Sequence, residues 1–456
     1  MMMSQVAQAR GATLHGDDVL MTGESKDTRD IHQGDLYVAL KGERFDGHQF
    51  VAEANSSGAV AALVSDSLSL DVPQVQVDDT RIALGQLAAH WRQQFTGKLI
   101  GITGSNGKTS VKEMCSKILL DHVGTSAVLA TKGNLNNDIG LPMTLLELTQ
   151  QHQFAVIEMG ANHVGEIDYL SAIAKPDVAL VNNVGPAHLE GFGSLENIAK
   201  AKAEIYNGLS DNGVAVINLD DVFAPYWINH CSVIKANIKT ISFSMQDESA
   251  DVYAKFVEED HYRIITGGEE AELALKVPGK HNVMNALAAV AITYSLGLPL
   301  SSIVSSLSAF ENIQGRLTVK QSAMGCQFID DTYNANPLSV TAAIDVLANM
   351  KGKSVLVLGD MAELGKDAES LHKEIGEKAK TAGIDALYAT GKLSESTVEG
   401  FGENGFYFKN KNELIKTLNK SLKAGDVVLV KGSRSAAMEE VVERILTQQK
   451  NYKRVN

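Results

Sequence analysis

Cysteine is scarce in this chain. Its three cysteines, Cys115, Cys231 and Cys326, are odd in number and far apart among 456 residues. They form no disulfide framework and no cysteine-based metal motif, and their scarcity fits a reducing compartment. Long apolar runs are also missing. No stretch reaches the roughly 18 apolar residues that span a bilayer, and Met1 to Asp18 holds no apolar core of signal-peptide length. Positive charge is in deficit: 41 Lys and Arg stand against 55 Asp and Glu, for a net charge of −14. That balance argues against a general nucleic-acid surface but leaves room for an anionic substrate held by local lysines. Internal repeats and low-complexity linkers are absent too. These absences lead us to expect a cytoplasmic protein with neither a membrane nor a nucleic-acid partner.

What is present is an ordinary globular composition, 44% hydrophobic, over a length that suggests about three domains of some 150 residues each. Short apolar runs alternate with helix-like segments. Residues 1–82 read as a small α/β unit, with strands at Asp35–Leu40, Ala59–Val64 and from Val75, and a helix at Phe50–Ser57. A helix from Thr80 to Phe95 leads onward. Residues 83–312 carry strand candidates Leu99–Ile102, Phe154–Glu158, Val178–Asn182 and Val214–Ile217, which suit a parallel sheet buried on both faces. Between Val252 and Val277 the pattern turns to strand-like alternation around Gly267-Gly268, an antiparallel insertion. A helix from His281 to Leu296 closes this unit. Residues 313–456 read as a third, Rossmann-like unit with strands at Gln327–Ile329, Ser354–Leu358, Ala386–Ala389 and Val427–Val430. Such sheets place ligands at the carboxyl ends of their strands.

The most informative segment is Gly101-Ile-Thr-Gly104-Ser105-Asn106-Gly107-Lys108-Thr109-Ser110, between an apolar strand and a helix running from Val111 to Leu120. A glycine-rich turn there leaves backbone N–H groups and a helix N-terminus free to cradle phosphate. Lys108 can reach the outer phosphates and the Thr109 hydroxyl can hold magnesium. The spacing departs from the usual P-loop, because Ile102 stands where its first glycine would fall. Glu158 ends a strand beside this loop, where a carboxylate is the usual second holder of magnesium after the Thr109 hydroxyl. His188 lies in a loop framed by Gly185, Pro186, Gly191 and Gly193, and suits a metal or phosphate contact.

Lys202 shares a helix face with Ile198, Ile205 and Leu209, within a predicted helix Leu195–Leu209. It either snorkels to the rim or, as a neutral amine, reacts with carbon dioxide to give an anionic carbamate. Asn282 and Asn285, at i and i+3 of a helix start, suit either a cap or a purine edge. Gln314-Gly315-Arg316 marks the second boundary. Asp331-Thr-Tyr333-Asn334-Ala-Asn336 follows a strand and precedes a helix, fitting ligand contact or a turn and cap. Lys431, Ser433 and Arg434 repeat the arrangement after the last strand and suit a carboxylate or phosphate.

Together these motifs resemble the Mur ligases, ATP-dependent amide-forming enzymes of peptidoglycan precursor synthesis, over nearly the whole chain. The resemblance implies a three-domain α/β fold with a central P-loop ATPase domain. It assigns Glu158, His188 and Lys202 as ligands, with Thr109, of two magnesium ions, Lys202 being carbamylated. It assigns Asn282 and Asn285 to the adenine side, and Arg316 and Asp331 to phosphate and ribose. Asp27-Thr28-Arg29, Gly34-Asp35, Lys41-Gly-Glu-Arg-Phe45-Asp46-Gly47-His48 and Thr131-Lys-Gly-Asn134-Leu-Asn-Asn137 resemble the member that adds a dipeptide. The implied substrates are UDP-N-acetylmuramoyl-tripeptide and D-alanyl-D-alanine, joined through an acyl phosphate. The first domain would bind the uridine nucleotide, through Thr28, Arg29 and Phe45 to His48. Thr131, Asn134 and Asn137 would approach the sugar-peptide. The last domain, with Tyr333, Asn334, Asn336, Lys431, Ser433 and Arg434, would bind the dipeptide. Hinges are expected near residues 82 and 313, and a monomer. The alternatives are another ligase of this architecture, such as a folylpolyglutamate synthetase, or a P-loop NTPase acting as a switch.

Overall fold

The apolar runs lie at the centres of three separate sheets. The computed structural model describes residues 1–455 apart from 9–11, 43, 44, 236, 259 and 312. The expected boundary residue 312 therefore lies outside the described residues.

The central sheet has nine strands. Its spatial order is Glu269–Ala274, His261–Thr266, Val252–Glu258, Lys239–Ser244, Val214–Asn218, Val178–Val181, Lys98–Thr103, Phe154–Glu158 and Val128–Ala130. Neighbours are parallel from Val128–Ala130 through Val252–Glu258, and the last two pairings are antiparallel. The expected insertion thus extends the same sheet, and Gly267 and Gly268, both at positive φ, turn between its last two strands. Side chains alternate between two cores. On the strand Lys98–Thr103, Leu99 joins one core while Ile100 and Ile102 join the other; Ala155 and Ile157 oppose Val156 in the same way. Burial on both faces is why these strands read as unbroken apolar runs.

The strand Lys98–Thr103 sits between Phe154–Glu158 and Val178–Val181, with Ile102 level with Glu158 and Thr103 level with Val181. The chain leaves this strand toward one side of the sheet and later returns on the other. That is the topological switch point, where an open parallel sheet leaves a crevice at its carboxyl edge.

The N-terminal sheet has five strands and the C-terminal sheet six. The latter runs Thr318–Gln321, Gln327–Asp331, Val427–Lys431, Ser354–Gly359, Ala386–Thr390, Gly405–Phe408, all parallel except the first pair. The expected boundary at residue 82 falls inside the helix Thr80–Arg92. Ala83, Leu84 and Leu87 pack in the N-terminal core, whereas Ala88 packs in the central one. Arg92 anchors the far end by donating to the carbonyls of Ala174 at 2.8 Å and Lys175 at 3.0 Å.

The helix expected over Leu195–Leu209 is α-helical only from Leu195 to Ala203, then tightens into a 3-10 turn at Glu204–Tyr206. Tyr206 is buried, and its hydroxyl donates to the Val216 carbonyl at 3.0 Å and accepts from the Val181 amide at 3.3 Å. Tyr206→Phe should cost about 1–3 kcal/mol, because it strands backbone groups that water cannot reach. Urea unfolding should show the loss as a lower midpoint at unchanged slope.

Candidate active site

The strand Lys98–Thr103 ends in a turn that only glycine fits at two points. Gly104 has φ +152°, and Gly107 has φ +77° and caps the helix Lys108–Val123. A Cβ on Gly107 would lie 2.3 Å from Asn285 Oδ1 and 2.4 Å from Asn182 Nδ2. The turn is fastened from the neighbouring strand end. Asn183 Oδ1 accepts from the Asn106 amide at 2.9 Å, Asn182 Nδ2 donates to the Asn106 carbonyl at 3.0 Å and to Asn285 Oδ1 at 2.9 Å, and Ser105 Oγ meets the Gly185 carbonyl at 3.1 Å. Lys108 Nζ folds back to the Gly104 carbonyl at 2.7 Å. Burial pulls the Lys108 pKa down; Glu158 opposes the shift and Arg316 adds to it.

Glu158 is buried and held on both oxygens. Thr109 Oγ1 donates to Oε2 at 2.9 Å and Asn136 Nδ2 to Oε1 at 2.8 Å. The Glu158 amide donates to Thr131 Oγ1 at 2.9 Å, and the Thr131 carbonyl accepts from the buried Lys112 Nζ at 2.7 Å. Thr131 is 1% exposed. It therefore supports Glu158 from behind and does not face the cleft as expected, whereas Asn134 and Asn137 do.

Lys202 points inward as its helical position predicts, and is 3% exposed while Lys200 faces solvent. Among the described residues no carboxylate lies within ion-pair distance of it. Burial first and Lys108 second drive its pKa well below the ordinary lysine range. His188 sits at φ +55° and its Nδ1 meets a carboxylate oxygen of Glu363. Its pKa is lowered chiefly by burial, against the pull of Glu363.

The C-terminal unit closes directly on this loop. Arg316 donates to Thr109 Oγ1 at 3.0 Å, with its guanidinium 4.3 Å from the centre of the Tyr333 ring. Asn336 caps the helix Pro337–Ala348 and donates to Asn106 Oδ1 at 2.8 Å. Lys431 is buried, with Nζ 2.6 Å from Asp331 Oδ2 and 2.8 Å from the Asn334 carbonyl. Its charge is thus already engaged by Asp331. Arg434 pairs with Glu439 at 2.9 Å. The result is one cleft of about 1960 Å³, lined by Ser105 to Ser110, Glu158, His188, Lys202, Asn282, Asn285, Arg316, Asp331, Tyr333, Asn334, Asn336, Lys431, Ser433 and Arg434.

The expected uridine-site residues stand apart from this cleft. Thr28 donates to Glu53 at 2.8 Å, and Arg29 is solvent-exposed beside Asp27. Phe45, 52% exposed, stacks on Phe50 with ring centres 5.3 Å apart. Asp46 and Gly47 lead into His48, which is buried. His48 Nδ1 lies 2.6 Å from Asp46 Oδ1, and Nε2 accepts from the Ser65 amide at 2.9 Å. Glu43 and Arg44 of the same motif lie outside the described residues. The sequence reading missed Asn136, Asn182, Asn183, Lys112 and Glu363. The two strand-end asparagines follow the same rule that singled out Glu158, so their signal was present.

Comparison with known proteins agrees with this architecture. The Mur ligase middle domain matches residues 102–293, the Mur ligase glutamate ligase domain 315–434, and the Mur ligase catalytic domain 25–92. The chain is 46% identical over 451 residues to the UDP-N-acetylmuramoyl-tripeptide–D-alanyl-D-alanine ligase of Escherichia coli, covering 97% of this chain and 98% of the relative. Its fold matches a MurF crystal structure from Acinetobacter baumannii with a TM-score of 0.91 at 38% identity, covering 97% of this chain and 98% of that one. A MurF ligase from Thermotoga maritima in complex with ADP matches with a TM-score of 0.83 at 30% identity, over 96% and 100%. The chain belongs to the Mur ligase family.

Gly107→Ala should displace the Asn182–Asn285 bond as well as force a left-handed alanine, at about 1–3 kcal/mol. ADP binding, followed by calorimetry, should weaken by about tenfold or more.

Proposed function

We propose that this protein is an ATP-dependent amide ligase that joins D-alanyl-D-alanine to UDP-N-acetylmuramoyl-tripeptide, giving the pentapeptide, ADP and phosphate. The observation that carries the reading is the meeting of two domains on one hydroxyl: Thr109 is bonded to Glu158 of the central sheet and to Arg316 of the C-terminal unit. The relatives' names, at up to 46% identity over nearly the full length, specify the substrates. We assign the uridine substrate to residues 1–82, ATP to 83–312 and the dipeptide to 313–456. The free, buried cysteines fit a reducing compartment, and no helix among the described residues is long and apolar enough to cross a membrane. We place the enzyme in the cytoplasm, as a monomer.

In this reading the tripeptide carboxylate attacks the γ-phosphorus of ATP and ADP leaves, forming an acyl phosphate. The dipeptide amine then attacks the acyl carbon, the amine gives up a proton, and phosphate departs. Lys108 and the helix N-terminus at Gly107 neutralise the phosphates. The contacts of Arg316 and Asn336 on the P-loop close the cleft and exclude water from the acyl phosphate. Thr109 and Glu158 would hold a magnesium ion, since such an ion needs only one or two protein carboxylates when substrate phosphates are bound. Among the described residues no cluster of three His, Cys, Asp or Glu could cage a metal unaided. When bound, the ion would supply charge neutralisation between the two anions.

The second ion would need an anionic Lys202. The amine adds to carbon dioxide and releases a proton, and the neutral amine that this step requires is favoured by the burial of Lys202 beside Lys108. His188 would have to turn from Glu363 to join it.

Phosphate release should require ATP, the UDP-linked tripeptide and D-alanyl-D-alanine together. Release with ATP alone would favour the NTPase switch. Lys108→Ala should lower kcat by about 10²–10³-fold with an unchanged circular dichroism spectrum.

Carbamylation has its own signature. Folded enzyme equilibrated with ¹³C-bicarbonate should show a carbamate carbon resonance that Lys202→Met lacks. In carbon dioxide-free buffer the same variant should melt higher than wild type at pH 7. The unmodified lysine binds its proton less readily folded than unfolded, so its cost is full below the folded pKa and fades as pH rises toward the ordinary lysine range. Bicarbonate should narrow the gap by stabilising only the wild type.

A further inference from the structure

Among the non-glycine residues of the described chain, few adopt a left-handed backbone, yet two of them touch across the domain boundary. His188 has φ +55° and Glu363 has φ +61°. Their side chains meet, and the Glu190 amide approaches the Glu363 carbonyl at 3.4 Å. Such a conformation is strained, and strained residues collect where a ligand must be met. Glu363 follows the strand Ser354–Gly359 by four residues. The neighbouring strand, Val427–Lys431, leads to Ser433 and Arg434. All three residues line the cleft at the carboxyl edge of the C-terminal sheet.

The other cleft carboxylates of that unit are engaged by cations: Asp330 by Lys320, Asp331 by Lys431 and Glu439 by Arg434. The remaining one, Glu443, sits further along the last helix. Glu363 differs from the paired three. Its partner is an imidazole, no lysine or arginine among the described residues lies at ion-pair distance, and its side chain is half exposed where it lines the cleft.

A free dipeptide carries a carboxylate at one end and an ammonium at the other. Glu439 occupies one nitrogen of the exposed Arg434 guanidinium, and its remaining N–H donors can take the first. Resting on the ligase reading above, we propose that Glu363 binds the ammonium end of the incoming dipeptide and so sets its nitrogen at the His188 side of the cleft, where the acyl group is activated. Glu363 is then a specificity residue for a free amino terminus, and its contact with His188 marks where that ammonium docks.

Propionyl-D-alanine is the test ligand, because it is the same dipeptide with hydrogen in place of the ammonium group. It should inhibit the wild type competitively but bind far more weakly than D-alanyl-D-alanine. Glu363→Gln should raise KM for D-alanyl-D-alanine by about tenfold or more while leaving the inhibition constant of propionyl-D-alanine, and KM for ATP and the UDP-linked tripeptide, unchanged. If KM and the inhibition constant rise together, or neither moves, Glu363 serves only to clasp His188 and the assignment is overturned. Wild-type enzyme that releases no phosphate in response to the dipeptide would instead defeat the ligase reading itself, and the assignment with it.

Discussion

The hydroxyl of Thr109 is the point on which this molecule is organised. It lies at the first turn of the P-loop helix, donates to a carboxylate raised on the adjacent strand and accepts from a guanidinium brought by another domain. Each partner depends on a different level of the fold. Glu158 is placed by sheet register, level with Ile102. Arg316 is placed by the crossing between the second and third units and steadied by the face of Tyr333. Disturb the register, the P-loop or the crossing, and the same hydroxyl loses a partner.

The net charge of the chain says little about this centre. An overall surplus of acid coexists with a cleft lined by Lys108, Lys202 and Arg316. Burial makes those lysines reluctant to hold their protons. Two anionic substrates would bring negative charge that these cations match.

Much of this was legible in the sequence, and the parts that were not share a cause. Strands buried on both faces announce themselves as apolar runs; Phe154–Glu158 was read to the residue. Strands with one wet face or an edge position do not, and Lys239–Ser244, Thr318–Gln321 and Gly405–Phe408 went unread. Within the site, the P-loop, Glu158 and the inward turn of Lys202 follow from local rules of spacing and period. Thr131 was misplaced because a polar residue after a strand looks the same whether it faces a ligand or braces a neighbour. Glu363 escaped notice because its partner, His188, is distant in the chain and local reasoning does not see across domains.

The helix Thr80–Arg92 carries a last consequence. Its opening turns are sunk in one core, its closing turns in another, and Arg92 bolts its end to two carbonyls. A rod held at both ends couples the two units that it joins. The other junction, Gln314-Gly315-Arg316, is built differently: Gly315 turns the chain at φ +73°, and its carbonyl accepts from the Tyr333 amide at 3.1 Å. The first two units thus share one continuous helix, whereas the second and third meet through side chains laid on the P-loop.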